Sequence, residues 1–240
     1  MTPQPAHRNH KRPARMALAR ALLRLAFQAI RPKRLYEPIQ LGGRKFHEKR
    51  ETDARWTAIA EIVREYKVRN VLDIGCAEGW FLRRAAEDFG CFAIGVEAGN
   101  RRVLLGEIAR LHDGVERIAV IQADLKPADI RNLPICDLVL CLSVVHHVMR
   151  EGGVAAAEEF IRALATRTHK ALLFEMGTSE EVELSWTKVL PEMPEGQEAF
   201  IRSLLHGSGL TNIRVVAITP GLKQDASRLL FAAEPPEVAT

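Results

Sequence analysis

Aromatic residues are scarce, at 6% of a 240-residue chain, which leaves little material for base-stacking platforms. Cysteine is sparser still. Cys76, Cys91, Cys136 and Cys141 form no C-x-x-C pair and no zinc-like spacing with histidine, so neither a disulfide framework nor a metal site is expected. No apolar run reaches the roughly 18 residues needed to span a bilayer. Arg12 to Arg24 interrupt the only early apolar stretch, so no secretory signal is expected either. Acid is missing from the first 36 residues, where nine Lys or Arg stand.

Apolar content is ample, at 47%, enough for a sizeable core and too much for global disorder. From residue 37 onwards 25 basic groups face 30 acidic ones, so the body is mildly acidic and the basic character belongs to the tail. This disfavours a nucleic-acid-binding body. Unpatterned cysteines suit reduced thiols in the cytoplasm, with an organelle transit peptide as the lesser reading of the arginine-rich start.

Residues 1–36 are read as a basic tail and residues 37–240 as one domain. Within the tail, residues 1–12 are expected to be disordered, and Pro13 and Pro32 bracket a helix over Ala14–Ile30. Its polar stripe is Arg20, Arg24, Gln28 and Arg31, with Leu18, Leu22, Leu25 and Ala29 opposite. Such a helix suits either an anionic membrane surface or packing on the body or a partner. After a link through Gly42-Gly43, a helix is expected over about 52–66. Strands at 70–74, 92–97, 118–122, 138–142 and 171–175 then alternate with helices at 80–88, 101–111, 153–166 and 195–205. Strands at 213–218 and 228–232, joined by Pro220-Gly221, read as an antiparallel edge hairpin. The central strands are apolar on both faces, as a sheet covered by helices on both sides requires.

The densest signal is Val71-Leu72-Asp73-Ile74-Gly75-Cys76-Ala77-Glu78-Gly79-Trp80-Phe81: an apolar strand, a turn with glycines four apart, then a helix. Gly75 permits close backbone approach to a ligand, and Gly79 does the same or lets the helix pack on the strand. The dinucleotide fingerprint needs a glycine where Ala77 stands. Asp73 would repel a pyrophosphate but can accept from a cationic amino group, which points from NAD towards S-adenosylmethionine. Glu97 ends the next strand, 18 residues after Gly79, where a carboxylate can accept from both ribose hydroxyls. Asp124 follows the third strand and is placed to accept from an adenine amino group.

On these residues the chain, from about Asn70 to Ala233, resembles class I S-adenosylmethionine-dependent methyltransferases. The resemblance implies an α/β, Rossmann-like, seven-stranded and mostly parallel sheet with a reversed terminal hairpin and helices on both faces. It also implies that the loop with Asp73, Gly75, Cys76 and Gly79 holds the cofactor's amino-acid end, Glu97 its ribose and Asp124 its adenine. Leu142-Ser143-Val144-Val145-His146-His147, Leu172-Leu173-Phe174-Glu175-Met176 and the Arg50-x4-Arg55 spacing are similar to the methyltransferase half of bacterial O-antigen chain-terminating methyltransferase/kinases. That similarity implies that such arginines, Arg55 among them, help bind cofactor or acceptor. The sequence stops at residue 240 without a kinase portion, so a phosphate acceptor is expected to come from another enzyme.

Ser143, His146 and His147 follow the fourth strand, at the edge where the acceptor must sit. Ser143 is grouped with the cofactor residues, while His146 and His147 are the candidates for catalysis: a hydroxyl acceptor must lose a proton, and histidine suits that role. A phosphate acceptor would need only orienting. The alternative for the pair is a strand cap and a core imidazole. Glu175 reads as a second acid near the acceptor or as a residue that simply bonds the following loop, and residues 176–194, with Trp186, as a lid or a packed surface loop. The expected activity is O-methylation of a small molecule, glycan or glycan phosphate. A nucleic-acid methyltransferase is disfavoured by the absence of an Asn/Asp-Pro-Pro-aromatic run after the fourth strand. A non-catalytic cofactor-binding subunit is the third reading.

Overall fold

The computed structural model describes residues 11–31, 35–46, 52–179, 181, 187–221 and 226–236. Arg50 and Trp186 lie outside the described residues, as do residues 1–10 of the tail.

Five strands form the parallel part of the sheet: β3 (Asn70–Ile74), β4 (Phe92–Glu97), β5 (Ile118–Gln122), β6 (Cys136–Leu142) and β7 (Thr168–Glu175). Two more, β8 (Thr211–Pro220) and β9 (Ser227–Glu234), complete it in the order β5-β4-β3-β6-β7-β9-β8, with β9 antiparallel to both its neighbours. The order reverses between β3 and β6, where an open parallel sheet offers a crevice at the carboxyl ends of its strands. A small hairpin, β1 (Ile39–Leu41) and β2 (Arg44–Phe46), precedes the sheet. It occupies the stretch expected to be a link, because three-residue strands are too short to show a period.

Helices α2 (Asp53–Glu65), α3 (Trp80–Phe89) and α4 (Asn100–Asp113) lie on one face; α5 (Pro127–Ile130), α6 (Val145–Ala165) and α7 (Gly196–Gly207) lie on the other. Every residue of β6 is buried, which is why its sequence shows no alternation. One core joins Leu72, Val139, Leu172 and Phe231 to Phe160, Ile161 and Leu164 of α6 and to Ile201 and Leu205 of α7. The other joins Val71, Leu138 and Leu173 to Ile59 and Val63 of α2 and to Phe81 and Leu82 of α3. The strands thus bury side chains on both faces, as their composition requires.

Helix α6 starts eight residues before the expected 153. Gly153 breaks it, with φ 74° and ψ −173°, a conformation open to glycine and to few other residues. The break leaves a short first segment that carries His146 and His147 and a longer second one that packs on the sheet.

The N-terminal helix, α1 (Lys11–Ile30), packs against α4. Phe27 is fully buried and, with Leu23 and Ile30 beside it, meets Leu105, Ile108 and the hairpin's Ile39, Leu41 and Phe46. Arg24 donates to His112 at 3.0 Å, and Arg101 donates to the carbonyl of Ile30. The expected Leu18–Leu22–Leu25 face is not the one that packs; all three stay exposed. Among the described residues, no helix is long and apolar enough to cross a membrane.

Gly95 on β4 has no room for a side chain, because an added Cβ would lie 2.5 Å from Cys76 Sγ and from Leu82 Cδ1. Overpacking of this kind typically costs about 1–3 kcal/mol. Gly95→Ala is therefore expected to lower the unfolding free energy by about that amount, whereas Gly207→Ala, whose Cβ would meet nothing nearer than 3.6 Å, should leave it nearly unchanged. Denaturant melts of the two variants check this.

Candidate active site

The carboxyl ends of β3, β4, β5 and β6 open on a cavity of about 630 Å³. Of the residues expected to form the site, Gly75, Glu97, Asp124, Ser143, His146 and His147 line it, together with Tyr36, Arg102, Lys126, Arg150 and Arg228. Asp73, Cys76, Gly79 and Arg55 are not in its walls.

Gly75 has φ +75°, and a Cβ there would stand 2.4 Å from Val144 Cγ2. The turn can close against the β6 end only because position 75 has no side chain. Cys76 is buried with its sulfur against Gly95, and burial pushes its thiol well above the usual range. Its side chain packs the loop, and its amide is spent on the Val96 carbonyl at 3.1 Å. Gly79 takes φ 79° as the residue that caps α3.

Glu97 is held in place by two amides: Ala77 N–H donates to Oε2 at 3.0 Å and Gly99 N–H to Oε1 at 2.8 Å. Arg102 stands 3.6 Å from the same carboxylate and stacks on the Tyr36 ring. Asp124 is exposed at the cavity wall.

Asp73 is 2% exposed and its Oδ2 has no hydrogen-bond partner. Burial, and then the charge of Glu97, push its pKa up to about 7, against the opposing influence of Arg55. An orphaned buried carboxylate beside the Gly75 turn is what a cationic amino group would satisfy. Glu37 adds to the acidity. It is buried, its pKa is raised well above the usual range by burial and by Asp73, and it accepts from the Trp80 amide at 3.1 Å. Glu78 accepts from the amides of Tyr36 at 3.1 Å and Glu37 at 3.0 Å, which fixes the segment before β1 on the loop.

Arg55 is 1% exposed, lies over the Phe81 ring at 5.1 Å and stands 4.0 Å from Glu175. It is an interior cation behind the cavity. Glu175 is an internal anchor: it accepts from Ser143 Oγ at 2.8 Å and Thr219 Oγ1 at 3.1 Å, and Arg228 is 3.5 Å away. The Ser143 hydroxyl also accepts from Arg228 at 2.8 Å, so it is committed to this network although it lines the cavity. Ser143 has φ +64°, a sparsely populated conformation that the surrounding contacts maintain. Arg228 completes the cluster with a bidentate pair to Glu181.

His146 is 3% exposed and its Nδ1 accepts from the Gly177 amide at 3.1 Å. Its ring centroid is 4.3 Å from that of His147. His147 is exposed towards the cavity, and burial and the neighbouring Arg150 lower its pKa.

Tyr36, Glu37, Arg102, Arg150 and Arg228 escaped the sequence reading. Glu78 stood inside the quoted loop but was given no role there. Arg228 left no trace at all, since it meets Ser143 across 85 positions of sequence.

Residues 71–167 match a family model described as a methyltransferase domain. That segment runs from β3 to the end of α6 and includes Gly75, Glu97, Asp124 and both histidines. No curated protein matches it in sequence. Among solved structures it is similar to WbdD, called a bifunctional kinase-methyltransferase, with TM-score 0.71 and 20% identity over 88% of this chain and 46% of that one. It is also similar to the N-terminal domain of EvdMO1 with SAH bound, with TM-score 0.65 and 18% identity over 90% of this chain and 96% of the other. The same EvdMO1 domain in the presence of SAH and D-fucose gives TM-score 0.64 at 16% identity over 97% of this chain and 100% of that one. The chain thus spans about half the length of WbdD.

Because the Asp73 pKa near 7 lies above the free side chain's 3.8, ionisation costs the folded state stability. That stability falls as pH rises between these two values and stays level above them. Asp73→Asn is therefore expected to raise the melting temperature at pH 8 while weakening S-adenosylhomocysteine binding about tenfold or more, the scale of a hydrogen bond to a charged group. In the unaltered protein that binding should weaken as pH drops below about 7. Melts with and without ligand across pH measure all three effects.

Proposed function

We infer that this chain methylates an oxygen, hydroxyl or phosphate, of a small-molecule or glycan acceptor bound at the His146–His147 end of the cavity. The observation that carries this reading is the placement of both histidines in the wall that also holds Glu97 and Asp124. Bound S-adenosylmethionine would supply a sulfonium-activated methyl group. Asp73 suits its amino group, Glu97 its ribose and Asp124 its adenine.

The two histidines divide the work. A backbone N–H can only donate, so the Gly177 contact makes His146 Nδ1 an acceptor, and the neutral ring then carries its proton on Nε2. His146, fixed by that contact and packed beside His147, positions the turn that presents His147 to the acceptor. His147, whose pKa is lowered, is neutral at pH 7 with a lone pair to spare, and it removes the hydroxyl proton. Alignment of the oxygen within the cavity supplies much of the remaining gain.

Arg102, Lys126 and Arg150 in the same walls favour an acceptor with an anionic group, which Arg can hold in a bidentate grip. A phosphate oxygen would need no base. Support for a glycan comes from the D-fucose of the EvdMO1 structure and from the kinase-methyltransferase pairing in WbdD. The four buried free thiols suit a reducing, cytoplasmic setting.

With labelled methyl donor and a panel of sugars and sugar phosphates, His147→Ala is expected to cut kcat by about 10²–10⁴ on a hydroxyl acceptor. The unaltered rate should be level above about pH 6.5, the ordinary histidine pKa, and fall below the depressed pKa of His147. His146→Ala should also slow turnover but keep that acidic limb, whereas His147→Ala should lose it. Full activity in the double variant would overturn the assignment.

A further inference from the structure

Helix α1 carries two apolar faces, and the fold uses one. Leu23, Phe27 and Ile30 hold it against α4 and the β1–β2 hairpin, while Arg24 is drawn to His112. On the opposite side Leu18, Leu22 and Leu25 are 62%, 56% and 67% exposed, and Ala21 and Ala29 are also exposed. The spacing of four and three makes a continuous stripe along the helix.

We propose that this stripe docks on the surface of an anionic lipid bilayer, with α1 lying in the plane of the headgroups. Charge decides between a bilayer and a second copy of the chain. The first 36 residues carry nine basic groups and no acid, so pairing two such segments face to face would bring like charges together. Anionic headgroups turn the same charges into attraction, and the leucines then enter the interfacial layer as an in-plane amphipathic helix does.

The docking would also be oriented. The last turn of α1 is fixed by Arg101, which donates to the Ile30 carbonyl, and Arg101 adjoins Arg102 of the cavity wall. The C-terminal end of the stripe is thus tied to the helix that supplies Arg102 to the cavity. This extends the reading of the site as one for glycan methylation, because an acceptor held by a lipid would be presented beside it.

The test uses the full chain and a variant with Leu18, Leu22 and Leu25 each changed to Gln. These positions are exposed, so the variant keeps its fold, as a matching melting temperature would show. With sedimented vesicles of equal parts phosphatidylglycerol and phosphatidylcholine, the full chain should bind and the triple variant should bind at least about tenfold more weakly. Vesicles of phosphatidylcholine alone should bind poorly. Raising salt from about 0.1 to about 1 M shortens the screening length to about 3 Å and should release part of the protein, because the apolar contribution is not screened. Equal binding by both proteins would overturn the proposal in favour of the basic tail alone. No binding, with a dimer in sedimentation velocity that the triple variant abolishes, would overturn it in favour of a second copy. S-adenosylhomocysteine binding, measured by calorimetry on both proteins, should be the same, so failure of the docking is told apart from failure of the methyltransferase reading.

Discussion

Arg55 and Arg228 are cations of the interior, at 1% and 0% exposure, and the carboxyl ends of β3, β6 and β7 and the amino end of β9 are arranged around that fact. A buried ion costs several kcal/mol of lost hydration, which only close partners offset. Arg228 finds Glu181, Glu175 and Ser143, while Arg55 lies over Phe81 near Glu175. The constraint runs outward from there. Ser143 takes its left-handed backbone because its hydroxyl and amide are both tied to Glu175. That turn sets the entry of α6 and so the placing of His146 and His147. Removing either arginine would strand carboxylates in the interior, so the cluster stands or falls together.

The same region holds more carboxylates than it comfortably neutralises. Asp73 has no partner on Oδ2 and titrates near 7, and Glu37 is held back from ionising by burial and by Asp73. A fold optimised for stability alone would not keep such groups. A site that receives a cation has a use for them, which is the familiar exchange of stability for function.

Much of the scaffold was legible because buried parallel strands announce themselves. Phe92–Glu97 and Ile118–Gln122 have the bounds that apolar runs and flanking turns suggest, and the acids at the strand ends stand out against those runs. Other features failed for identifiable reasons. Arg20, Arg24, Gln28 and Arg31 were read as the polar stripe opposite the Leu face, but Arg24 is recruited by His112 and the packing face lies between the two stripes. His146 and His147 fall before the helix expected from 153, yet they stand in the first segment of α6, which Gly153 breaks and does not begin. The partners of Glu175 were invisible because Thr219 and Arg228 come from the last two strands. Contacts over such separations are created by topology and leave no local pattern.

The attachment of α1 is lopsided. Its contacts with the body gather at Leu23, Arg24, Phe27 and Ile30, while the side chains from Met16 to Leu22 are all exposed. The first half of the helix is therefore a cantilever whose coil-to-helix balance rests on its own Ala, Leu and Arg content, residues of high intrinsic propensity, and not on tertiary packing. Short helices of that kind are marginal in water. The degree of order in this projecting arm is thus a property of the medium around it, in a molecule whose remaining architecture is set by its core.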